Sequence, residues 1–356
     1  MAPTATHHSG AIPSGALTPA QLDKFRADGY LILSDFFDSR EILNHARSLI
    51  QNFDPSQHPL TKFTTGDNTK KEDAHVGDRY FLESGDKIRY FLEEDSIDVK
   101  SGKLNRSPEL CVNKCGHALH VLDHTFYQLS FSQRVQNLVK SLESFQDPRI
   151  LQSMIICKQP SIGGAVPSHN DSTFLFTNPP SAIGLWFALE DCTRSNGCLS
   201  FLPCSHRWSK EGLTPLPPSS SSSSSSSCPR PANDAVDIVK QYGTPRGVNK
   251  RFVRTKPGHV GSGTSFEVLS TQEEDQWDES RAVVEECKAG TLVLIHGSVL
   301  HKSEKNLSEK SRYIYTFHCI EGQAEYDDKN WLQPTPEMSF SKLYNPPERP
   351  PISSTA

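Results

Sequence analysis

The 356-residue chain has no apolar run approaching the roughly 18–20 residues that a membrane-spanning helix needs, so no membrane partner is expected. It has no surplus of positive charge. Lys and Arg number 37 against 42 Asp and Glu, a formal net charge of −5, which removes the electrostatic case for a nucleic-acid partner. It has no CxxC pair. Its nine cysteines are scattered and odd in number, which argues against a disulfide framework or a cysteine zinc site and favours a reducing compartment. The opening MAPTATHHSGAIPSGA lacks the charged and apolar regions of a signal peptide, and the closing ISSTA is not a peroxisomal address. The resulting expectation is a cytoplasmic protein. No internal repeat is present.

What is there suffices for a full core: 35% of residues are hydrophobic and 22% charged. Residues 1–16 read as a disordered tail. In LTPAQLDKFRADGY, Thr18 is placed to cap a helix, Pro19 takes the first helical position and Gln21 completes a capping box. Gly29 ends that helix and Tyr30–Leu33 is β-like. From Ser39 to Phe53, Ile42, Leu43, Ala46, Leu49 and Ile50 recur at helical spacing. Residues 54–78 are polar and irregular. Two further helical patterns occupy 117–145, with His117 and His120 at i, i+3 on the first.

From Ile150 the period changes. ILQSMIICKQ, IGLWFALED, GCLSFLP, TLVLIHG and RYIYTFHCIE are short, β-branched or aromatic, and separated by turn signals, Asn196-Gly197 reading as a hairpin turn. Close-spaced short strands predict a sandwich or barrel. The fold class expected is therefore mainly β with flanking helices (α+β), helices first. PLPPSSSSSSSSSCPRP interrupts the β part, and nine consecutive serines cannot bury apolar area, so a flexible insertion is expected over about 209–250. The remainder, 17–345, reads as a single domain, and 346–356 as a tail.

The chemistry concentrates in VPSHNDSTFLF, residues 166–176. On a strand, His169 and Asp171 point to one face, offering one imidazole nitrogen and one carboxylate. Two histidines and one carboxylate form the facial triad of non-haem Fe(II) oxygenases, which leaves three coordination positions open. His301, after the strand TLVLIH, is the candidate second histidine. Ser303 shares its face if the segment stays extended. Arg312, 11 residues after His301, could grip a carboxylate in a bidentate pair. Singly, each residue has an ordinary reading: HxD is common, His301 could lie on the surface and Arg312 could pair with Glu321. Their order in a β-rich half is far more specific.

The stretches GDKIRYFLEED, NKCGHALH, QSMIICKQPSIGGAVPSHNDSTFLFTNP, GLWFALEDCTRSNGCLSFLPCSH and AGTLVLIHGSVLHKSEKNLSEKSRYIYTFH resemble the phytanoyl-CoA dioxygenase family, over roughly residues 17–345 without the serine-rich loop. The resemblance implies a double-stranded β-helix of jelly-roll or cupin-like type and the use of Fe(II), 2-oxoglutarate and O₂. It implies His169, Asp171 and His301 as iron ligands, Arg312 and Ser303 at the distal carboxylate of 2-oxoglutarate, and Lys114, Met154 and Trp186 as further co-substrate contacts. Met154 and Trp186 also read as core filler, and Lys114 as a solvated charge. His206, His296 and His318 are expected to be structural or to support the site indirectly.

The expected function is thus a dioxygenase acting on a small molecule. Two other readings remain at this point. One is a jelly-roll metal-dependent hydrolase or isomerase, which would have no need of the Arg312 and Ser303 anchor. The other is a non-catalytic binding protein, although no ligand position has been lost here. The substrate is not legible. The basic cluster a coenzyme A tail would want is not evident, because Lys62, Lys70, Lys71 and Arg79 are interspersed with acids. Oligomeric state is not legible either.

Overall fold

The computed structural model describes residues 14–62, 79–206, 248–255, 263–269 and 276–350. The serine run, most of the 1–16 tail and Lys70 and Lys71 lie outside the described residues.

The chain begins with the helix Pro19–Asp28. Its capping box is present as the sequence predicts, and it stops at Gly29, whose φ of 85° lies in the left-handed region. The helix Arg40–Gln51 buries Ala46 and Ile50. The pattern over 117–130 is not one helix. It divides into the end of the strand Val112–His117 and the helical turns Leu119–Leu122 and His124–Ser130, the last capped by Asp123, whose carboxylate accepts from the Thr125 and Phe126 N–H groups. The helix Gln133–Ser141 follows.

Fourteen strands are described: β1 (Tyr30–Leu33), β2 (Ile88–Leu92), β3 (Val112–His117), β4 (Pro148–Lys158), β5 (Val166–His169), β6 (Ile183–Ala188), β7 (Leu199–Leu202), β8 (Lys250–Arg254), β9 (Thr264–Val268), β10 (Val283–Glu285), β11 (Leu292–His296), β12 (Leu300–Ser303), β13 (Arg312–Glu321) and β14 (Ser341–Lys342). The large sheet runs β1-β11-β6-β13-β4-β3-β2, with β14 beside β4. A four-stranded sheet runs β10-β7-β12-β5, and β8 and β9 form a separate pair. This is a double-stranded β-helix of the jelly-roll kind, mainly β with helices outside, as expected. No described helix is long and apolar enough to cross a membrane.

The two-residue period of a strand divides the large sheet into two chemistries. One face contributes Ile155, Cys157, Leu185, Phe187, Leu292, Leu294, Tyr315 and Phe317 to a cluster shared with the helices through Ala46, Ile50, Phe126 and Leu138. The other face contributes Trp186, Ala188, Val293, Ile295 and Ile314 to a cluster with Leu199 and Phe201 of the small sheet. A sheet covered on both sides is buried throughout, and nine of the ten residues of β13 are buried.

One local expectation fails. Asn196-Gly197 does not close a hairpin. Arg194–Asn196 is a single 3₁₀ turn, Gly197 is left-handed, and β6 and β7 lie in different sheets. The tail expected from 346 is docked at its start: Tyr127 donates its hydroxyl to the Pro347 carbonyl at 2.6 Å. Among the described residues seven cysteines are free thiols, six of them buried, while Cys204 is disulfide-bonded.

Candidate active site

His169 and His301 are directly opposite each other on β5 and β12, with ring centroids 4.3 Å apart. Each ring is oriented by a backbone carbonyl. His169 Nδ1 lies 2.9 Å from the Pro167 carbonyl oxygen and His301 Nδ1 lies 3.1 Å from that of Val299. A carbonyl only accepts, so both Nδ1 atoms carry the proton and the neutral rings present their Nε2 lone pairs.

Asp171 does not reach them along a strand, contrary to the expectation from its i, i+2 spacing to His169. β5 ends at His169, and Asp171 opens the helical turn Asp171–Phe174. Asn170 caps that turn, its Oδ1 accepting from the Thr173 N–H at 3.0 Å and hydroxyl at 2.9 Å. The turn places Asp171 Oδ1 3.6 Å from His169 Nε2 and 3.7 Å from His301 Nε2. Among the described residues this trio is the one cluster able to hold a metal ion, its donor atoms lying within 4.8 Å of one another. Two bonds of about 2.1 Å reach across about 4.2 Å, which spans the 3.6 and 3.7 Å from Asp171 Oδ1 to the two imidazoles, so the donor chemistry and the Asp171 spacings suit a divalent ion.

The other carboxylate oxygen, Asp171 Oδ2, is 3.2 Å from His318 Nε2 on β13. Gly184 leaves room for this pair, because a Cβ there would come within 3.3 Å of both atoms. Burial opposes ionisation of Asp171, but the imidazoles of His318 and His301 outweigh it and hold its pKa well below the carboxylate range. Burial, reinforced by His169, lowers His301 to about 4. Burial also works against protonation of His169, but the Asp171 carboxylate prevails and raises it.

Arg312 begins β13 and is among the most completely buried large side chains. Nη1 donates to the Gly197 carbonyl at 2.7 Å, and the guanidinium lies 5.6 Å from the centre of the Trp186 ring. Its Nε has no hydrogen bond, and among the described residues no carboxylate pairs with it. Glu321, the alternative partner, sits at the far end of β13 and accepts from the Gln146 backbone N–H. Burial pulls the Arg312 pKa down, yet a guanidinium stays charged in proteins.

The loop between His301 and Arg312, which both line one cavity, is pinned. Asn306 Nδ2 donates to the carbonyls of Lys158, Gln159 and Lys310. Lys158 Nζ donates to Gly164 and Glu304, each at 2.6 Å.

A cavity of about 180 Å³ between the sheets is lined by His169, Asp171, His301, Ser303, Arg312, Lys114, Met154 and Trp186, so all eight predicted residues share one space. Lys114 is buried, its Nζ 5.6 Å from the Phe81 ring and 5.3 Å from Phe91, and burial pulls its pKa well below the lysine range. The sequence reading did not assign Gln152, Thr316 or Trp331 to the site, although all three line it. Thr316 and His318 could have been found by counting in twos from Arg312. His117 and His120 do not share a helix. His117 ends β3 and lines the cavity, while His120 is bound to Ser153 Oγ at 2.8 Å. His206 and His296 pair with each other, ring centroids 4.8 Å apart. The segment Asp86–Arg89 does not line the cavity. Arg89 stacks on Tyr80 at 4.5 Å.

The phytanoyl-CoA dioxygenase (PhyH) family model matches residues 25–314. Phytanoyl-CoA dioxygenase domain-containing protein 1 of Rattus norvegicus is 39% identical over 333 residues, covering 92% of this chain and 99% of its own length. The Caenorhabditis elegans homolog of that protein is 37% identical over 90% of this chain and 98% of its own length. An Arabidopsis thaliana phytanoyl-CoA dioxygenase is 35% identical over 90% and 95%. Among solved structures, EctD from S. alaskensis with 2-oxoglutarate and 5-hydroxyectoine covers 97% of this chain and 92% of its own, at TM-score 0.51 and 16% identity, a likeness of fold. The chain therefore belongs to the phytanoyl-CoA dioxygenase family, whose enzymes depend on Fe(II), 2-oxoglutarate and O₂.

Proposed function

We propose that His169, Asp171 and His301 hold Fe(II), that Arg312 and Ser303 hold the distal carboxylate of 2-oxoglutarate, and that the protein hydroxylates a small-molecule substrate in the rest of the cavity. The observation that carries this reading is Arg312: a buried cation beside the metal-binding trio, facing the same cavity, with no carboxylate partner among the described residues. An uncompensated buried charge is costly, so the site calls for an anion. A dicarboxylate can meet the metal at one end and the guanidinium at the other.

When bound, Fe(II) supplies the redox chemistry that couples decarboxylation of 2-oxoglutarate by O₂, giving succinate and CO₂, to oxidation of a substrate. The chain supplies the geometry. The Pro167 and Val299 carbonyls fix the two imidazoles, His318 steadies the outer carboxylate oxygen, and Trp186 lies against the guanidinium. Lys114 and Met154, from β3 and β4, complete the co-substrate wall. A hydrolase reading leaves the Arg312 guanidinium without an anion and is the weaker account.

The test is succinate formation from 2-oxoglutarate with Fe(II) and O₂, first without added substrate and then against a metabolite extract, with mass spectrometry for a gain of one oxygen. Succinate formed by the native chain and lost in Asp171→Ala supports the reading. No succinate under any of these conditions contradicts it.

A further inference from the structure

The end of the cavity formed by β3 and its neighbours contains a hydrogen-bond acceptor that no part of the co-substrate machinery uses. His117 is fully buried and lines the cavity. Its protonation is settled by its neighbours. Ser84 Oγ donates to the Phe81 carbonyl at 2.6 Å and lies 2.6 Å from His117 Nδ1. The hydroxyl has one proton, already given to the carbonyl, so it accepts from His117 Nδ1–H. Nε2 is then a bare lone pair, and it has no hydrogen-bond partner. Burial, with the positive charges of Lys114 and Arg89, pushes the His117 pKa well below the usual range, so the ring does not escape by protonation.

Around this acceptor the walls are aromatic. Phe81 and Trp331 stack with ring centroids 4.4 Å apart, and both rings stand nearly edge-on to His117, at 5.8 Å and 5.6 Å. On the neighbouring strand Gln152 Oε1 is a second buried acceptor without a partner. Orphaned buried acceptors facing a cavity are uncommon in proteins and ask for a donor from a ligand.

We propose that His117 Nε2 is a substrate-recognition group, accepting a hydrogen bond from a neutral O–H or N–H carried on a flat, apolar substrate body packed against Phe81 and Trp331. The aromatic, water-poor wall disfavours a charged group there, and the lone pair disfavours a carboxylate. This deepens the proposed function by giving its substrate a chemical class, and it rests on that reading for the cavity being a substrate site.

The test uses the full chain and two probes of like shape, 4-fluorophenol, which has a donor, and 4-fluoroanisole, which has none, followed by fluorine NMR titration. The expected result is that the phenol binds about five- to tenfold more tightly, the worth of one neutral hydrogen bond. In His117→Leu the ratio falls to about one, and in His117→Gln it is partly kept. Ser84→Ala leaves His117 in place but removes the group that fixes its tautomer, and it lowers the ratio even if His117→Leu fails to fold. Equal binding of the two probes by the native chain, no binding of either, or an unchanged ratio in Ser84→Ala and in folded His117→Leu would overturn the inference. Absence of the phenol preference in a native chain that still converts 2-oxoglutarate sinks this inference alone. Absence of that conversion sinks the oxygenase reading and leaves the probe result standing.

Discussion

Strand β13 shows the same ten residues doing two jobs. Tyr313, Tyr315, Phe317 and Cys319 face the helix-covered core, while Arg312, Thr316 and His318 face the cavity. A shift of one residue separates stability from chemistry, because alternate side chains leave a strand on opposite sides. The outer face shares its apolar load among many contacts. On the inner face a few polar groups each have one specific neighbour: Arg312 has Gly197, Thr316 donates to the Leu185 carbonyl at 3.1 Å, and His318 has Asp171.

The comparison can be broken most strongly through the outer face. His120, behind β4 against Ser153, is buried and its pKa is lowered to about 3. Its neutral form is the folded one. The unfolded chain binds more protons between about 6.5 and 3, so this contribution is intact above about pH 6.5 and drains away as pH falls towards 3, by at most about 5 kcal/mol. The expected outcome is acid destabilisation of the native chain that is shallower in His120→Gln, measured by urea unfolding from pH 7 to pH 4. An unchanged slope would remove His120 as its source.

Next comes Phe317→Ala, which should cost about 3–5 kcal/mol by cavity formation while leaving the 2-oxoglutarate KM of the folded fraction unaltered. Unfolding curves and steady-state kinetics check both halves. On the inner face the pattern reverses. Arg312→Gln should raise the apparent 2-oxoglutarate KM by about 10- to 100-fold, the worth of hydrogen bonds to a charged group, without lowering stability. An unchanged KM would unseat Arg312 as the anchor. The smallest effect is expected for Gly184→Ala. Crowding of Asp171 Oδ2 and His318 should weaken metal binding several-fold at nearly constant Tm, read by calorimetric titration of Mn(II). Equal affinity would mean that the Asp171–His318 spacing is not critical.

Much of this was legible in sequence. The capping box at Thr18, the helix over Arg40–Gln51 and the change to β periodicity after Ile150 depend on local signals, and local signals were enough. His169, Asp171, His301, Ser303 and Arg312 stand out by their order along the chain, and Lys114, Met154 and Trp186 only through the family resemblance, whereas Gln152, Thr316 and Trp331 carry no such signal. What sequence could not show was set by distant contacts. Asn196-Gly197 carries a hairpin signal, but a jelly roll sends the flanking strands to different sheets. HALH has helical spacing, but pairing of β3 with β4 holds His117 in a strand and frees only His120 for a helix. Asp171 follows a strand, but the Asn170 cap bends it into a turn. The His117 tautomer depends on Ser84, 33 residues away, which no local pattern shows.

The most direct measurement is a crystal structure of the full chain grown without oxygen in the presence of Fe(II) and 2-oxoglutarate. The account predicts anomalous density at one ion bonded to His169, Asp171 and His301, with the far carboxylate of 2-oxoglutarate on the Arg312 guanidinium. An ion bound elsewhere, or a 2-oxoglutarate whose carboxylate leaves Arg312 unmet, would contradict it.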